Sequence, residues 1–452
     1  MKISAQIEID ARNDDGLASV AIRGTDVEGL KLDLPFADLY RAFGTPNPTA
    51  LDLLVVAAIC YAVDKTTARD GTSDEWTRQL EVSFPVSEPE RWASVAQGLD
   101  VALTFLTGDV WQTSFHQAEA DLFVAPKRRR RLANNPQEPE TFEAVGLLSG
   151  GLDSLIGTID FLEEHPKSRM MLVGHYDFAG PKSQQDGIYE LLRTRFPGRT
   201  KLVQVRVSQR PQKNAETSLR SRSIVFLASG IYAAVELGAD VPLLAPENGI
   251  IAVNMPLTPS RLGSCSTRTM HPFYLTVLRD VFKDLGIQNA LVNPLGLKTK
   301  GECVTQCRNL SLLKSLIPRT VSCSHAPRRQ YWKRKSAPNC GYCFPCLCRR
   351  ASVHAAGLDS GEDYGIDVCS NELTVDSSAM SADDLRAVTS GLRRFKTEAS
   401  IRRAIAGVAP AEPLDAYVNL VQRGLTELRT WIAEKGSASL QAAADIPKGG
   451  HA

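Results

Sequence analysis

The sequence predicts an α/β protein: a parallel, doubly wound sheet, with an α+β domain before it and a helical region after it. Three observations carry this. From Phe142 onward, short apolar runs alternate with longer stretches whose apolar residues recur at helical spacing. A glycine-rich turn, "SGGLDS", closes the first of those runs and opens a helical stretch. Five of the ten cysteines fall between Cys323 and Cys348, just beyond the alternating region.

The first 124 residues mix the two periodicities. "KISAQIEI" and "LEVSFPV" alternate apolar and polar residues and predict strands. "PTALDLLVVAAICYAVDKTT" is long and apolar enough for a buried helix. "PERWASVAQGLDVALTFLTG" predicts a helix between Pro89 and Gly108, with proline at its start and glycine at its end. Residues 1–124 are therefore expected to form a separate α+β domain. A linker follows at 125–142, where Lys127 to Arg131 are consecutive bases. Five bases can bind phosphate, but so short a run in a proline-bearing connector reads as a solvated linker.

Within 143–322 the expected strands are "FEAVGLLS", "RMMLVGHYDF", "KLVQVRV" and "VPLLAP". The expected helices are "DSLIGTIDFLEEH", "QQDGIYELLRTRF", "RSIVFLASGIYAAVELG" and "HPFYLTVLRDVFKDLG". A cysteine segment at 323–359 and a helical region at 360–452 complete the chain. In the latter, Tyr417, Leu420, Val421, Leu425, Leu428, Trp431 and Ile432 make one apolar helix face.

Composition narrows the function classes. Apolar residues make up 43% and charged residues 23%, as in soluble globular proteins. The formal net charge of +1 gives no global argument for nucleic acid or a membrane surface. No window approaches 18 uncharged apolar residues, and the start has no apolar signal-like core. A cytoplasmic location is expected, which favours metal over disulfides for crowded cysteines. Cys60, Cys265, Cys303, Cys307 and Cys369 are scattered and read as small packed side chains.

The glycine turn suits an anion. Gly150 and Gly151 let the backbone approach a ligand without a Cβ in the way. Their N–H groups, with those opening the next helix, converge on one point and carry positive partial charge. Ser149 and Ser154 add hydroxyl donors. Asp153 repels phosphate unless it holds Mg²⁺ or caps the helix. The Walker spacing is absent.

The cysteines read as a metal site. Cys340, Cys343 and Cys346 are spaced to aim three thiolates at one ion, and Cys323 closes a tetrahedron from across the loop. Zn²⁺ is the expected ion, with an iron–sulfur cluster as the alternative. Cys348 is a spare sulfur able to trade places with Cys346, and His325 is a further candidate ligand.

"SGGLDS" resembles the pyrophosphate-loop (PP-loop) signature of ATP pyrophosphatases, of the adenine nucleotide alpha hydrolase-like fold. With the late four-cysteine knuckle, residues 143–355 resemble the 7-cyano-7-deazaguanine synthase (QueC) family. "HYDFAG" lies where that family has its second strand, at the nucleotide site, which brings in Tyr176. "RSRSIVFLASGIYAA" places Arg222 at the family's arginine, with Ser223 replacing the usual asparagine. "VNPLGLKTKGE" matches Lys300 and Glu302 loosely. The stretch from "PENG" to "HP" resembles the QueC-like QatC subgroup of the Qat anti-phage defence system.

The resemblance implies a ligase that uses ATP and Mg²⁺ to adenylate a deazapurine carboxylate, with pyrophosphate leaving. An amine, on a partner protein in place of ammonia, is then the acceptor. Ser149 to Ser154 (Ser149, Gly150, Gly151, Leu152, Asp153, Ser154) and Tyr176 are expected to bind ATP. Asp153, Arg222 and Lys300 are the expected catalytic groups, and Glu247, Asn248, Thr267 and Arg268 are expected to read the substrate. Two other readings compete: a tRNA-modifying enzyme with the same ATP loop, using Lys127–Arg131 and the cysteine knuckle on RNA, and a non-catalytic nucleotide sensor that binds partners.

Overall fold

The computed structural model describes residues 2–9, 18–24, 27–70, 72–119, 141–177, 179–209, 216, 220–258, 268–406 and 413–447. Lys127–Arg131 and Thr267 lie outside the described residues.

The strands are β1 (Lys2–Ile9), β2 (Ala18–Gly24), β3 (Val27–Asp33), β4 (Gln79–Val86), β5 (Val110–Gln117), β6 (Ala144–Leu147), β7 (Met170–Tyr176), β8 (Thr200–Arg206), β9 (Ser208–Gln209), β10 (Leu243–Leu244) and β11 (Leu291–Val292). They form two sheets. One is mixed, in the order β5-β4-β1-β2-β3-β9, and the other has the order β11-β10-β6-β7-β8. Every pairing in the second sheet is parallel. β6 comes first in the chain yet lies in the middle, with β7 and β8 on one side and β10 and β11 on the other. That is a doubly wound order, and it turns back between β6 and β10. β10 and β11 are only two residues long. β11, in "ALVNPL", has too short an apolar run to announce itself as a strand.

Alternation along the central strands sends side chains to two cores. Val145, Leu147, Met171 and Val173 enter one cluster, while Ala144, Leu148, Met170 and Leu172 enter another. The second cluster is closed by the helix Leu152–Glu164 and by the helix Ala179–Arg195, which brings in Ile188 and Leu192. The first is covered by the helix Arg222–Leu237.

That first core also contains the N-terminal region. The helix Pro48–Thr66 packs on the helix Arg222–Leu237 and is buried around its whole circumference from Ala50 to Asp64. Described residues from Leu32 to Trp111 and the parallel sheet thus share one hydrophobic core, and β9 adds a strand from the second region to the edge of the first sheet. A buried ion network sits at the seam. Arg69 and Arg78 both pair with Asp109, and Arg78 also pairs with Asp64 at 2.6 Å. Asp64 accepts in turn from the Ser221 hydroxyl at 2.7 Å, at the start of the helix Arg222–Leu237.

The expected helix between Pro89 and Gly108 is two: Pro89–Ser94 and Ala96–Thr107, broken at Val95. Gly108 ends the second in the left-handed conformation, as its position suggested. At the C-terminus the helix Leu414–Lys435 buries all seven residues of the predicted apolar face. It packs on the helix Phe344–Ala355 in a third core that also holds the cysteine segment. No helix among the described residues is long and apolar enough to cross a membrane.

Candidate functional site

A cavity of about 390 Å³ opens at the carboxyl ends of β6 and β10, where the sheet order reverses. Ligands in open α/β sheets bind at this point, and the volume lies within the ~300–1,000 Å³ of small-molecule sites.

The glycine turn forms one wall. β6 is fully buried, and the chain leaves it through Ser149 and Gly150. Gly150 has φ +87°, in the left-handed region that favours glycine. The Gly151 N–H donates to Ser149 Oγ at 3.2 Å, and the Ser154 hydroxyl donates to the Gly151 carbonyl at 3.0 Å. These bonds hold the turn in shape. The Val321 N–H donates to the Gly150 carbonyl at 3.0 Å, tying the turn to the segment before Cys323. Ser149, Gly151, Leu152, Asp153 and Ser154 line the cavity, with the start of the helix Leu152–Glu164 at its edge.

The chain after β10 forms the facing wall. Asn248 Nδ2 donates to Asp153 Oδ2 at 2.7 Å, closing the crevice from one strand end to the other. Asn248 Oδ1 accepts from the Ile251 N–H and caps the short helix Gly249–Val253. The side chain of Asn248 is fully buried and does not line the cavity. Buried Lys300 reaches the other Asp153 oxygen, with Nζ 2.6 Å from Oδ1. It opens a helix whose cap, Thr299, forms a capping box with Glu302. Glu427 of the helix Leu414–Lys435 accepts from the Thr299 hydroxyl and from the Gly301 N–H, so the C-terminal region holds Lys300 in place. Glu247 lines the cavity half-buried, and Asn293 clasps its backbone on both sides. Burial, with the nearby Asp153 carboxylate, pushes the Glu247 carboxyl up to about 7.

Arg222 lines the cavity from the first turn of its helix. It faces Asp177 at 3.8 Å, beyond the end of β7. Asp177 also accepts from the Tyr61 hydroxyl at 2.7 Å and lies 3.7 Å from Lys65 Nζ. Burial favours its neutral form, but Arg222, Tyr61 and Lys65 outweigh burial and hold the carboxyl below its usual value. Neighbouring His175 is buried with both ring nitrogens unpartnered among the described residues. Burial and Arg222 push it down to about 3, so its imidazole is neutral.

Tyr61 and Lys65 come from the N-terminal region and carry no sequence signal: they sit in one apolar helix, far from any motif. Other expected residues lie elsewhere. Tyr176 ends β7 but does not line the cavity. Arg268 turns away, donating to the Phe105 carbonyl at 2.7 Å with its guanidinium over the Phe105 ring. Thr269, which the motif reading passed over, lines the cavity and donates to Glu247 Oε2 at 3.2 Å. Nor does Asp153 serve as expected. It sits inside the helix whose N-cap is Gly151, so it caps nothing, and both its oxygens are already taken by Lys300 and Asn248. Each oxygen keeps a lone pair, but Mg²⁺ there would have to compete with the Lys300 ammonium 2.6 Å away, so the residues as arranged favour the ion pair over the metal.

The cysteine segment fits a metal. The sulfurs of Cys323, Cys340, Cys343 and Cys346 all lie within 4.8 Å of one another. Cys340 and Cys346 are 3.7 Å apart, and Cys323 and Cys343 4.0 Å. Ligands about 2.3 Å from a tetrahedral Zn²⁺ are about 3.8 Å apart, whereas disulfide sulfurs are bonded at about 2.05 Å. Backbone N–H groups of His325 and Cys340 point at Cys323 Sγ, and those of Tyr342 and Cys343 at Cys340 Sγ. Such donors stabilise thiolates. Four cysteines in this arrangement can hold a metal ion such as zinc. Cys348 and His325 are outside the group. Gly341, with φ +87°, makes the turn between two ligands, and a Cβ there would meet the Ile366 carbonyl at 2.2 Å. Cys323 also lines the cavity, so the metal segment and the glycine turn share a wall.

Comparison of the chain with protein-family models, with curated proteins and with solved structures finds no match in any of the three.

Proposed function

We propose that the chain is an enzyme that cleaves ATP between its α- and β-phosphates, of the QueC-like PP-loop type. It adenylates a 7-deazaguanine-type carboxylate and passes the acyl group to an amine. The observation that carries this reading is the glycine turn at the reversal of sheet order, opening on a cavity that holds two cations, Arg222 and Lys300. Backbone N–H groups at the start of a helix suit phosphates, and cations lining the same cavity suit the charge that pyrophosphate carries away.

In the first step a carboxylate oxygen attacks the α-phosphorus. The bond to the bridging oxygen breaks, and pyrophosphate leaves with the electron pair. In the second, a neutral amine nitrogen attacks the acyl carbon, the bond from that carbon to the AMP oxygen breaks, AMP leaves with the electron pair, and the nitrogen gives up one proton to water. This chain's residues position and stabilise: the Gly151–Ser154 backbone receives the leaving group, Lys300 and Arg222 offset its charge, and Glu247 bonds the N–H edge of a purine-like base. Asp153 aims Lys300, and no step passes through a metal on Asp153. The cysteine metal is structural, since four sulfurs leave no open position. The partner-protein acceptor and a role in anti-phage defence rest on the resemblance to QueC-like proteins alone.

The test is incubation with ATP and a 7-deazaguanine carboxylate, with products resolved by anion exchange. AMP and pyrophosphate in equal amounts are expected. Release of ADP and phosphate, or no turnover with any carboxylate, overturns the reading.

A further inference from the structure

The near-neutral total conceals an uneven distribution of charge. Between Cys303 and Leu358 there are ten Lys and Arg and no Asp or Glu, which leaves 42 basic and 51 acidic residues in the rest of the chain. The basic density peaks in Arg328–Lys335, "RRQYWKRK", inside the loop that joins Cys323 to the other three cysteines.

This loop is held in place from beneath. Trp332 is buried in the core shared with the cysteines, and a Cβ on Gly365 would lie 2.6 Å from its ring. Arg334 forms a two-pronged pair with Glu372, at 2.9 and 2.7 Å, and donates to the Tyr364 carbonyl. The other side chains face outward. Arg328, Arg329 and Lys335 are exposed and make no ion pair among the described residues. Lys333 touches Glu372 yet stays 66% exposed, and Tyr331 between them is 75% exposed.

We infer that this loop is a docking surface for single-stranded nucleic acid. Cations on a fixed loop match a phosphate backbone, and an exposed ring among them offers a base a stacking face. A protein partner would need an apolar centre to its interface. The large exposed apolar side chains among the described residues are scattered, and Tyr331 is the one in this loop. The loop leaves the cavity wall directly after Ser322, Cys323 and Ser324, so a bound strand lies near the cavity mouth. The inference does not depend on the proposed chemistry.

The experiment is fluorescence anisotropy of the full chain with a labelled mixed-sequence 20-nucleotide RNA, and the same sequence as DNA, across a range of NaCl concentrations. Three proteins are compared: wild type, Tyr331→Ala and the triple variant Arg328→Gln/Arg329→Gln/Lys335→Gln. Each cation that leaves a phosphate lowers the slope of log affinity against log salt by about 0.7, so the triple variant should lose about 2. Tyr331→Ala should bind about tenfold or more weakly with its slope unchanged. Retained metal content and melting temperature show that the variants are folded. Absence of binding, affinity that ignores both variants, or equal binding of polyglutamate, which would mark an acidic protein as the partner, each overturn the proposal. AMP formation without nucleic acid should be the same in all three proteins.

Discussion

At Glu247, burial and a neighbouring charge act in the same direction. Its carboxyl is raised from 4.5 to about 7 by loss of water and by Asp153, with Lys300 offsetting part of this. Between those values the native state binds a proton that the unfolded chain has released. Stability therefore falls as pH rises from about 4.5 to 7, and the full cost remains above 7. Glu247→Gln keeps the shape and removes the charge. Thermal melts should show the variant nearly level with wild type at pH 4 and more stable at pH 8, by at most about 3 kcal/mol. Buried Asp52, also raised, to about 6, is common to both proteins and cancels. An equal difference at both pH values would mean that Glu247 is already ionised in the fold. This site was legible in part. The turn "SGGLDS", Lys300 and Glu247, picked out separately along the chain, come together on one cavity. Arg268 was not legible, because the identity of a loop arginine does not say which way it turns, and here Phe105 offers it both a carbonyl and a ring.

The knuckle around Gly341 shows how one backbone angle can decide a whole element. A left-handed residue between two ligands lets Cys340 and Cys343 face the same point, and the Ile366 carbonyl closes the space above it. Gly341→Ala adds both left-handed strain, on the order of 1–2 kcal/mol, and a clash. Metal analysis of the purified variant should fall well below one ion per chain, with a lower melting temperature. Gly187→Ala, on an open helix face, is the control and should retain its metal. A fully loaded Gly341→Ala protein would show that the sulfurs assemble without this turn. Elements were most legible where periodicity was long, as in Leu414–Lys435 and Leu152–Glu164. They were least legible where length failed, as in β10 and β11, or where a helix broke without a proline or glycine, as at Val95.

Across the whole molecule, the N-terminal region is part of both the core and the site. Its apolar helix lies on Arg222–Leu237, its ion network reaches Ser221, and its Tyr61 and Lys65 meet Asp177 beside Arg222. Periodicity could show that the helix Pro48–Thr66 was buried, but not against what, because contacts between residues so distant in sequence leave no local pattern. A chain beginning at residue 141 would expose the covered face of Arg222–Leu237, including Ile224, Val225 and Ile231. Expressed alone, it should be largely insoluble, or aggregated by light scattering. A soluble monomer with a cooperative melt would show that the parallel sheet stands without the shared core.

The same packing sets an order of events during synthesis. The helix Pro48–Thr66 leaves the ribosome about 170 residues before the helix that covers it, which at ~5–20 residues per second is a delay of about 10–30 s. Through that interval β3 and β4 can take one side of the rod, but the face that will meet Arg222–Leu237 stays bare. Whatever shields newly made chains thus has that face to cover until the second helix arrives.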